Sequence, residues 1–209
     1  MPWQPEDWDC WPRQVPITPD GPPVVTQTVQ EILRRLPDRE YKTIVDLGGG
    51  LEAQLPQLAA VFNQVIVVVP TSADLSRVRD KWDGLPIELR RRELNRLEPF
   101  RENFDIALAL GSVRAGRLCE LDEAFEQIRA SLVEGGVLLG SVPAVPRRGH
   151  AYQVRLRNDA DESFAPPLHE VELHYRLTRA RFQGLRIRRL RELDGDEHLL
   201  FMAVRRAIN

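Results

Sequence analysis

The apolar positions of the chain follow two spacings, one typical of helices and one typical of buried strands. A helical pattern runs over 24–36, with apolar residues every three or four positions, and Pro37 ends it. Continuous apolar runs at 44–47, 64–69 and 104–110 are typical of strands buried on both faces. Further helices are predicted over 55–62, 72–82, 121–132 and 170–182, and further strands over 86–92, 137–142, 185–190 and 198–204. This alternation predicts an α/β fold with a mostly parallel central sheet and helices on both faces.

Composition changes the picture at the N-terminus. Residues 1–23 contain seven of the sixteen prolines and three of the four tryptophans of the chain. Proline removes backbone donors and blocks helices, so we predict an irregular arm over 1–23 and a folded domain over 24–209. Tryptophan is costly to leave in water, so we expect Trp3, Trp8 and Trp11 to pack across their own domain. The alternatives are a lid over a ligand, a homodimer contact or a contact with a protein partner.

Charge and cysteine content exclude several classes of protein. The 29 basic and 31 acidic side chains give a net charge of −2, which excludes a histone-like polycation. No run of about eighteen apolar residues is present, so we expect no helix across a membrane. The N-terminus lacks the basic and apolar regions of a secretory signal. Cys10 and Cys119 are too few for a disulfide framework or a thiolate metal cluster. We expect a soluble, cytoplasmic protein.

The loop after the first predicted strand is the place to search for a ligand site. Open parallel sheets bind ligands at the carboxyl ends of their strands, and residues 46–50 (DLGGG) lie at such an end. Glycines let the backbone turn sharply and let a ligand approach it closely. A dinucleotide-binding fingerprint can be matched to Gly48, Gly50 and Ala53. That fingerprint also requires an acid about twenty residues later, where Val69 stands, so the match is weak.

The order and spacing of several short motifs is more specific than the glycines alone. The motifs are VDLGGG at 45–50, VVVPTSADL at 67–75, LEPF at 97–100, FDIALAL at 104–110 and LVEGGVLLGSV at 132–142. This series resembles the class I S-adenosylmethionine-dependent methyltransferases, and most closely the branch called type 11. The resemblance implies a Rossmann-like methyltransferase fold with S-adenosylmethionine as cofactor. The cofactor-binding residues that it implies are Asp46, Gly48, Gly49, Gly50, Leu110 and Gly111.

Three positions depart from the pattern of that family. Glu52 replaces a third glycine, and its bulk and charge must be solvated or paired. Val69 stands where the family carries an acid that accepts hydrogen bonds from the cofactor's ribose. The acid that faces the adenine falls on Leu94 by direct count, or on Glu93 after a shift of one residue.

Two functions therefore stay open. The first is S-adenosylmethionine-dependent methyl transfer to an unidentified small molecule. The second is a degenerate, methyltransferase-like protein without catalysis, which acts as a binding or partner subunit because Glu52 and Val69 weaken the cofactor site.

An arginine-rich segment supports a third function, an enzyme directed at RNA. Residues 176–191 contain seven arginines and no acid, and residues 90–92 are a second basic group. We favour solvated faces at both places, since Glu170, Glu172 and Glu192 are near enough in sequence to pair with several arginines. We therefore expect no nucleic-acid partner.

The sequence marks no catalytic residue. Methyl transfer from a preactivated donor needs mainly alignment, with a base only in some cases. The candidate bases are His150, Tyr152, His169 and His174, and each is predicted to be an exposed side chain. Their spacing matches no metal site, so we expect none. Cys119 is predicted to be a packed residue, because no base accompanies it.

Overall fold

A computed structural model describes residues 11–12, 15–111, 118–145 and 167–206, without the side chains of Leu118 and Cys119. Its α-helices are α1 (Val24–Arg35), α2 (Leu55–Ala59), α3 (Ser72–Lys81), α4 (Leu118–Ser131) and α5 (Glu170–Arg179). Its strands are β1 (Thr43–Leu47), β2 (Gln64–Val69), β3 (Ile87–Arg91), β4 (Phe104–Leu110), β5 (Leu132–Pro143), β6 (Phe182–Arg191) and β7 (Glu197–Arg205). None of these helices combines the length and the apolar composition that crossing a membrane requires.

The strands form one seven-stranded sheet in the order β3-β2-β1-β4-β5-β7-β6. Strands β1 to β5 are parallel, and β7 runs antiparallel to both β5 and β6. The predicted mostly parallel sheet is therefore confirmed. The chain order reverses between β1 and β4, and ligands bind outside the carboxyl ends of the strands at such a reversal.

The alternation of side chains along the strands creates two apolar layers. On one face, Val67 of β2 packs in a cluster that contains Ile32 of α1 and also residues of α2 and α3. On the other face, Val68 belongs to a cluster with Phe125 of α4 and Leu173 of α5. Neighbouring residues of a strand point to opposite faces, so one apolar run supplies both layers. Helices on both faces of the sheet are thereby confirmed.

All five helices are found, and their ends differ by one to three residues from the predicted ones. Thr71 is the N-cap of α3, because its hydroxyl accepts a hydrogen bond of 3.1 Å from the Asp74 amide. The last helix ends at Arg179, three residues before the predicted end, and β6 begins at Phe182 and includes Gly184. Gly184 has a φ of +58° at an irregularity in the β6–β7 pairing, a conformation that glycine adopts without strain.

The described part of the N-terminal arm packs on its own domain. The Arg188 guanidinium of β6 lies 5.4 Å from the Trp11 ring centre, and its Nη1 donates to the Pro12 carbonyl at 2.6 Å. The side chain of Gln27 in α1 forms three hydrogen bonds of 2.7–3.1 Å to the backbone of residues 18–22. These contacts agree with the expected packing of Trp11. Trp3 and Trp8 lie outside the described residues, so a lid, a homodimer contact or a partner contact through them stays a prediction.

Several arginines of the 176–191 segment are neutralised within the domain. Arg176 forms ion pairs of 2.8 Å with both Asp122 and Glu172. Arg189 forms ion pairs with Glu170 at 3.3 Å and with Glu197 at 2.6 Å. Because these arginines are paired with acids of the same domain, a structural role fits them better than binding to phosphate.

Candidate functional site

A cavity of about 590 Å³ lies over the glycine loop, at the carboxyl ends of the strands where the sheet order reverses. Five of the six cofactor residues implied by the resemblance line it, and these are Gly48, Gly49, Gly50, Leu110 and Gly111. The rest of its wall consists of Val68, Pro70, Asp74, Arg77, Arg92, Glu93, Leu94, Asn95, Glu120 and Ala124. The sixth residue, Asp46, lies behind the loop and outside this wall.

The loop needs its glycines for two different reasons. Gly49 has a φ of +75°, in the left-handed region that strains other residues. At Gly50 the reason is space, since a Cβ there would lie 2.5 Å from the Leu110 carbonyl oxygen and 2.9 Å from the Leu110 Cβ. The loop is therefore pressed against the end of β4, and its backbone is open on the cavity side. Replacing Gly50 would disturb the fold together with the site.

Asp46 is a buried carboxylate that organises the loop from behind. Its side chain is 1% exposed, and its Oδ2 accepts a hydrogen bond of 3.0 Å from the Leu51 amide. Its Oδ1 has no hydrogen-bond partner among the described residues. The pKa of Asp46 is raised from 3.8 to about 7, mainly because burial disfavours the charged form; the amides of Leu51 and Gly50 oppose this shift and the charge of Glu52 adds to it. An unpaired buried acceptor of this kind is costly unless something else compensates it.

Glu52 does not occupy the cavity. Its buried carboxylate turns toward α3, where it forms ion pairs with Arg77 at 2.5 Å and with Lys81 at 3.2 Å. The charge that sequence analysis required to be paired is therefore paired. Glu52 is absent from the cavity wall, although its partner Arg77 lines it.

Val69 leaves the end of β2 without an acid. Its side chain is 1% exposed and packs in the apolar layer of α1, α2 and α3. Its Cγ1 lies 3.8 Å from the position that a Cβ on Gly49 would take, so it supports the loop from below. A hydrogen-bond acceptor for a ribose must come from another part of the wall.

Three acids line the cavity, Asp74, Glu93 and Glu120. Glu93 lies beside the end of β2, because the amide of the neighbouring Arg92 donates to the Val69 carbonyl at 3.0 Å. Asp74 is occupied, because its carboxylate contacts the Thr71 hydroxyl at 2.6 Å and Arg77 at 3.3 Å. Glu93 forms an exposed ion pair of 3.5 Å with Arg96. Both Glu93 and Leu94 line the cavity, so both alignments of the adenine-facing position stay open.

The bases considered on sequence do not meet at this cavity. His150 and Tyr152 lie outside the described residues. His169 precedes α5 and His174 lies on it, both exposed as expected and neither in the cavity wall. Cys119 begins α4, but its side chain is not among those described. Within the described chain, no group of His, Cys, Asp and Glu has the arrangement of a metal site.

Sequence analysis missed His198, which lines a second cavity beside the first. His198 lies near the start of β7 and is opposite Pro143, at the carboxyl end of β5. An antiparallel strand brings its first residues to the edge where parallel strands end. Locating His198 at this edge requires the direction of β7, which the apolar pattern alone does not give.

Comparison with known proteins shows similarity in structure rather than in sequence. No protein-family model and no curated protein matches the chain. A chain in the complex between the Haloferax volcanii Trm112 methyltransferase activator and a candidate methyltransferase aligns with a TM-score of 0.71 at 16% identity, over 87% of this chain and 90% of that one. An S-adenosylmethionine-dependent methyltransferase from Mesorhizobium loti aligns with a TM-score of 0.64 at 19% identity, over 83% and 95%.

A third solved structure was determined with a ligand. It is the Burkholderia thailandensis 1,6-didemethyltoxoflavin-N1-methyltransferase with bound 1,6-didemethyltoxoflavin and S-adenosylhomocysteine. It aligns with a TM-score of 0.62 at 18% identity, over 80% of this chain and 72% of that one. At such identities the likeness shows the fold. The chain therefore has the Rossmann-like fold of S-adenosylmethionine-dependent methyltransferases.

Proposed function

We propose that this chain is an S-adenosylmethionine-dependent methyltransferase, of the branch that resembles type 11, and that it acts on a small molecule. The observation that carries the proposal is the open cavity of about 590 Å³ over the glycine loop, with Glu52 turned away from it. S-adenosylmethionine supplies a methyl group already activated on a sulfonium sulfur. The work left to the protein is mainly binding and alignment, which the rigid ends of β1 and β4 support.

The residues around the cavity fit this cofactor. The backbone at Gly48, Gly49 and Gly50 allows close approach, and Leu110 and Gly111 continue the wall where Gly50 packs against the end of β4. The buried Asp46 carboxyl, whose Oδ1 has no hydrogen-bond partner among the described residues, lies behind this loop and holds the Leu51 amide.

Glu93 takes over the role of the missing acid in this proposal. A hydrogen bond to a charged acceptor contributes about 1.5–3 kcal/mol in a buried site and less at an exposed position. Because Glu93 is exposed and Val69 offers no acceptor, we expect weaker cofactor binding than an acid at the end of β2 would give.

A calorimetric titration with S-adenosylhomocysteine tests the proposal. We expect saturable binding to one site in the wild-type protein. The Glu93→Gln variant is expected to bind about fivefold more weakly, which corresponds to ~1 kcal/mol, because an amide accepts a weaker hydrogen bond than a carboxylate.

Glu98→Gln is the matched control, since Glu98 is a nearby exposed acid that lines no described cavity. It loses the same charge and should bind like the wild type. Equal weakening in both variants would indicate a general charge effect and would reject the role of Glu93. If the wild-type protein bound neither S-adenosylmethionine nor its demethylated product, the proposed methyltransferase activity would be rejected.

The second candidate is a methyltransferase-like partner subunit without catalysis. The apolar Val69 at the end of β2 is the observation that favours it. The similar Haloferax volcanii structure was solved as a complex with an activator, so a protein partner is compatible with this fold. Lack of cofactor binding together with a stable, folded protein is the result that would favour this candidate.

A further inference from the structure

A second cavity of about 530 Å³ adjoins the cofactor cavity and lies on the other side of the glycine loop. Gly50, Leu110 and Gly111 line both cavities, so the two meet at the end of β4. The remaining wall of the second cavity comes from residues 21–26, Ser141 of β5, and the turn between β6 and β7. A molecule in this cavity would lie beside the part of the cofactor that contacts Gly50 and Gly111.

The ionisable residues in the wall of this cavity are Glu192, Asp194, Asp196 and His198. No lysine or arginine belongs to its described lining. Arg191 lies at the turn, with its Nη2 3.7 Å from the position that a Cβ on Gly195 would take, but it does not line the cavity. Carboxylates without a cation among the described lining residues favour a positively charged ligand.

Glu192 has a structural role in this wall. Its two carboxylate oxygens accept hydrogen bonds from the Val24 amide at 2.5 Å and from the Val25 amide at 2.9 Å. It therefore caps the N-terminus of α1, and it does not pair with an arginine of β6 as sequence analysis expected. The helix N-terminus offsets its charge, so the charge open to a ligand belongs to the turn.

Asp194 and Asp196 supply that charge. Both side chains are exposed, and the contact described for them is local, an Asp196 amide that donates to the Asp194 Oδ1 at 3.1 Å. Neither forms an ion pair within the described part of the chain. The second oxygen of Asp194 and the carboxylate of Asp196 can therefore receive a cation.

The apolar part of the wall limits the shape of the ligand. Pro22, Pro23, Val24 and Val25 line one side, and Leu193, which is 67% exposed, lines the turn. Small-molecule sites combine apolar surface with a few polar groups in this way. His198 adds one imidazole that can form a hydrogen bond with the ligand.

We infer that the second cavity binds the methyl acceptor, and that this acceptor is a small molecule with an apolar body and a cationic amine. The amine lies against Asp194 and Asp196, and the apolar body lies against residues 22–25. The role of this ligand as methyl acceptor rests on the proposed function, whereas the preference of the cavity for a cation rests on its described wall alone.

Three probes of the same shape and different charge test the inference. They are 2-phenylethylamine, 2-phenylethanol and phenylacetate, titrated into the full protein saturated with S-adenosylhomocysteine and followed by amide chemical shifts in NMR spectra. We expect the amine to bind at least about fivefold more tightly than the alcohol, and the acid to bind least. The shifts should lie at residues 21–26 and 192–198.

The variant Asp194→Asn/Asp196→Asn separates charge from shape. Asparagine keeps the oxygen that accepts from the amide of residue 196, so the turn should be retained. We expect the amine to bind this variant as weakly as the alcohol, with binding of the alcohol and of S-adenosylhomocysteine unchanged. The control variant Asp80→Asn/Asp83→Asn removes two exposed charges of α3 and the loop after it, and should preserve the preference for the amine.

The outcomes distinguish this inference from the proposed function. Equal binding of the three probes, no binding of the amine, or a preference unaffected by the Asp194→Asn/Asp196→Asn change would overturn the cation site. A protein that fails to bind S-adenosylhomocysteine but still prefers the amine through Asp194 and Asp196 would overturn the proposed function and retain the cation site.

Discussion

Relative to the wild type, the free energy of unfolding of an Asp46→Asn variant should be about 2–3 kcal/mol higher at pH 8 than at pH 5. Burial raises the pKa of Asp46 from 3.8 to about 7 in the folded protein. The folded wild type therefore holds a proton that the unfolded chain has lost, and its stability falls as pH rises toward 7. Asparagine cannot titrate, so this loss is absent from the variant.

Chemical denaturation at several pH values measures this difference. The comparison uses the change with pH, because the asparagine NH2 adds a constant cost of its own inside the protein. Asp83→Asn is the control, since Asp83 is exposed. If the free energy of unfolding changed with pH equally in Asp46→Asn and the wild type, the raised pKa of Asp46 would be contradicted.

An Ala124→Trp variant is expected to lose binding of S-adenosylhomocysteine by about 100-fold or more, which corresponds to roughly 2.7 kcal/mol. Ala124 lies on α4, is 5% exposed and lines the cofactor cavity, so an indole at this position fills the space that a ligand would take. Calorimetry measures the affinity, and a thermal melt confirms that the variant is folded.

Ala60→Trp is the matched control for this substitution. Ala60 is exposed after the end of α2 and lines no described cavity. It should bind as the wild type does. Unchanged binding by a folded Ala124→Trp protein would exclude the cavity as the cofactor site, whatever the affinity of the wild type.

The apolar pattern predicted the elements that matter most for the fold. Runs such as 64–69 form the buried strands, because each run supplies side chains to both apolar layers of the sheet. The glycine loop at 48–50 was also located correctly at the end of β1, because ligand loops of open parallel sheets follow the carboxyl ends of their strands. The direction of β7 was not predicted, because β7 is buried on both faces like the parallel strands and has the same continuous apolar run.

Side-chain directions at the site depended on contacts between distant residues. The Glu52 side chain does not enter the cavity, because it forms ion pairs with Arg77 and Lys81 of α3. No local sequence pattern links Glu52 to these two residues. Asp46 shows the same dependence, because its pKa follows from burial by the whole fold. His198 reaches the second cavity only through the pairing of β7 with β5.

We propose that the cavity over the glycine loop holds S-adenosylmethionine. A crystal structure of the wild-type protein with S-adenosylhomocysteine tests it most directly. We expect electron density for the ligand over the glycine loop and beside the Leu110–Gly111 end of β4, in the cavity of about 590 Å³. Density elsewhere, such as in the cleft of about 600 Å³ between α1 and α2, or no ligand at a saturating concentration, would contradict the claim.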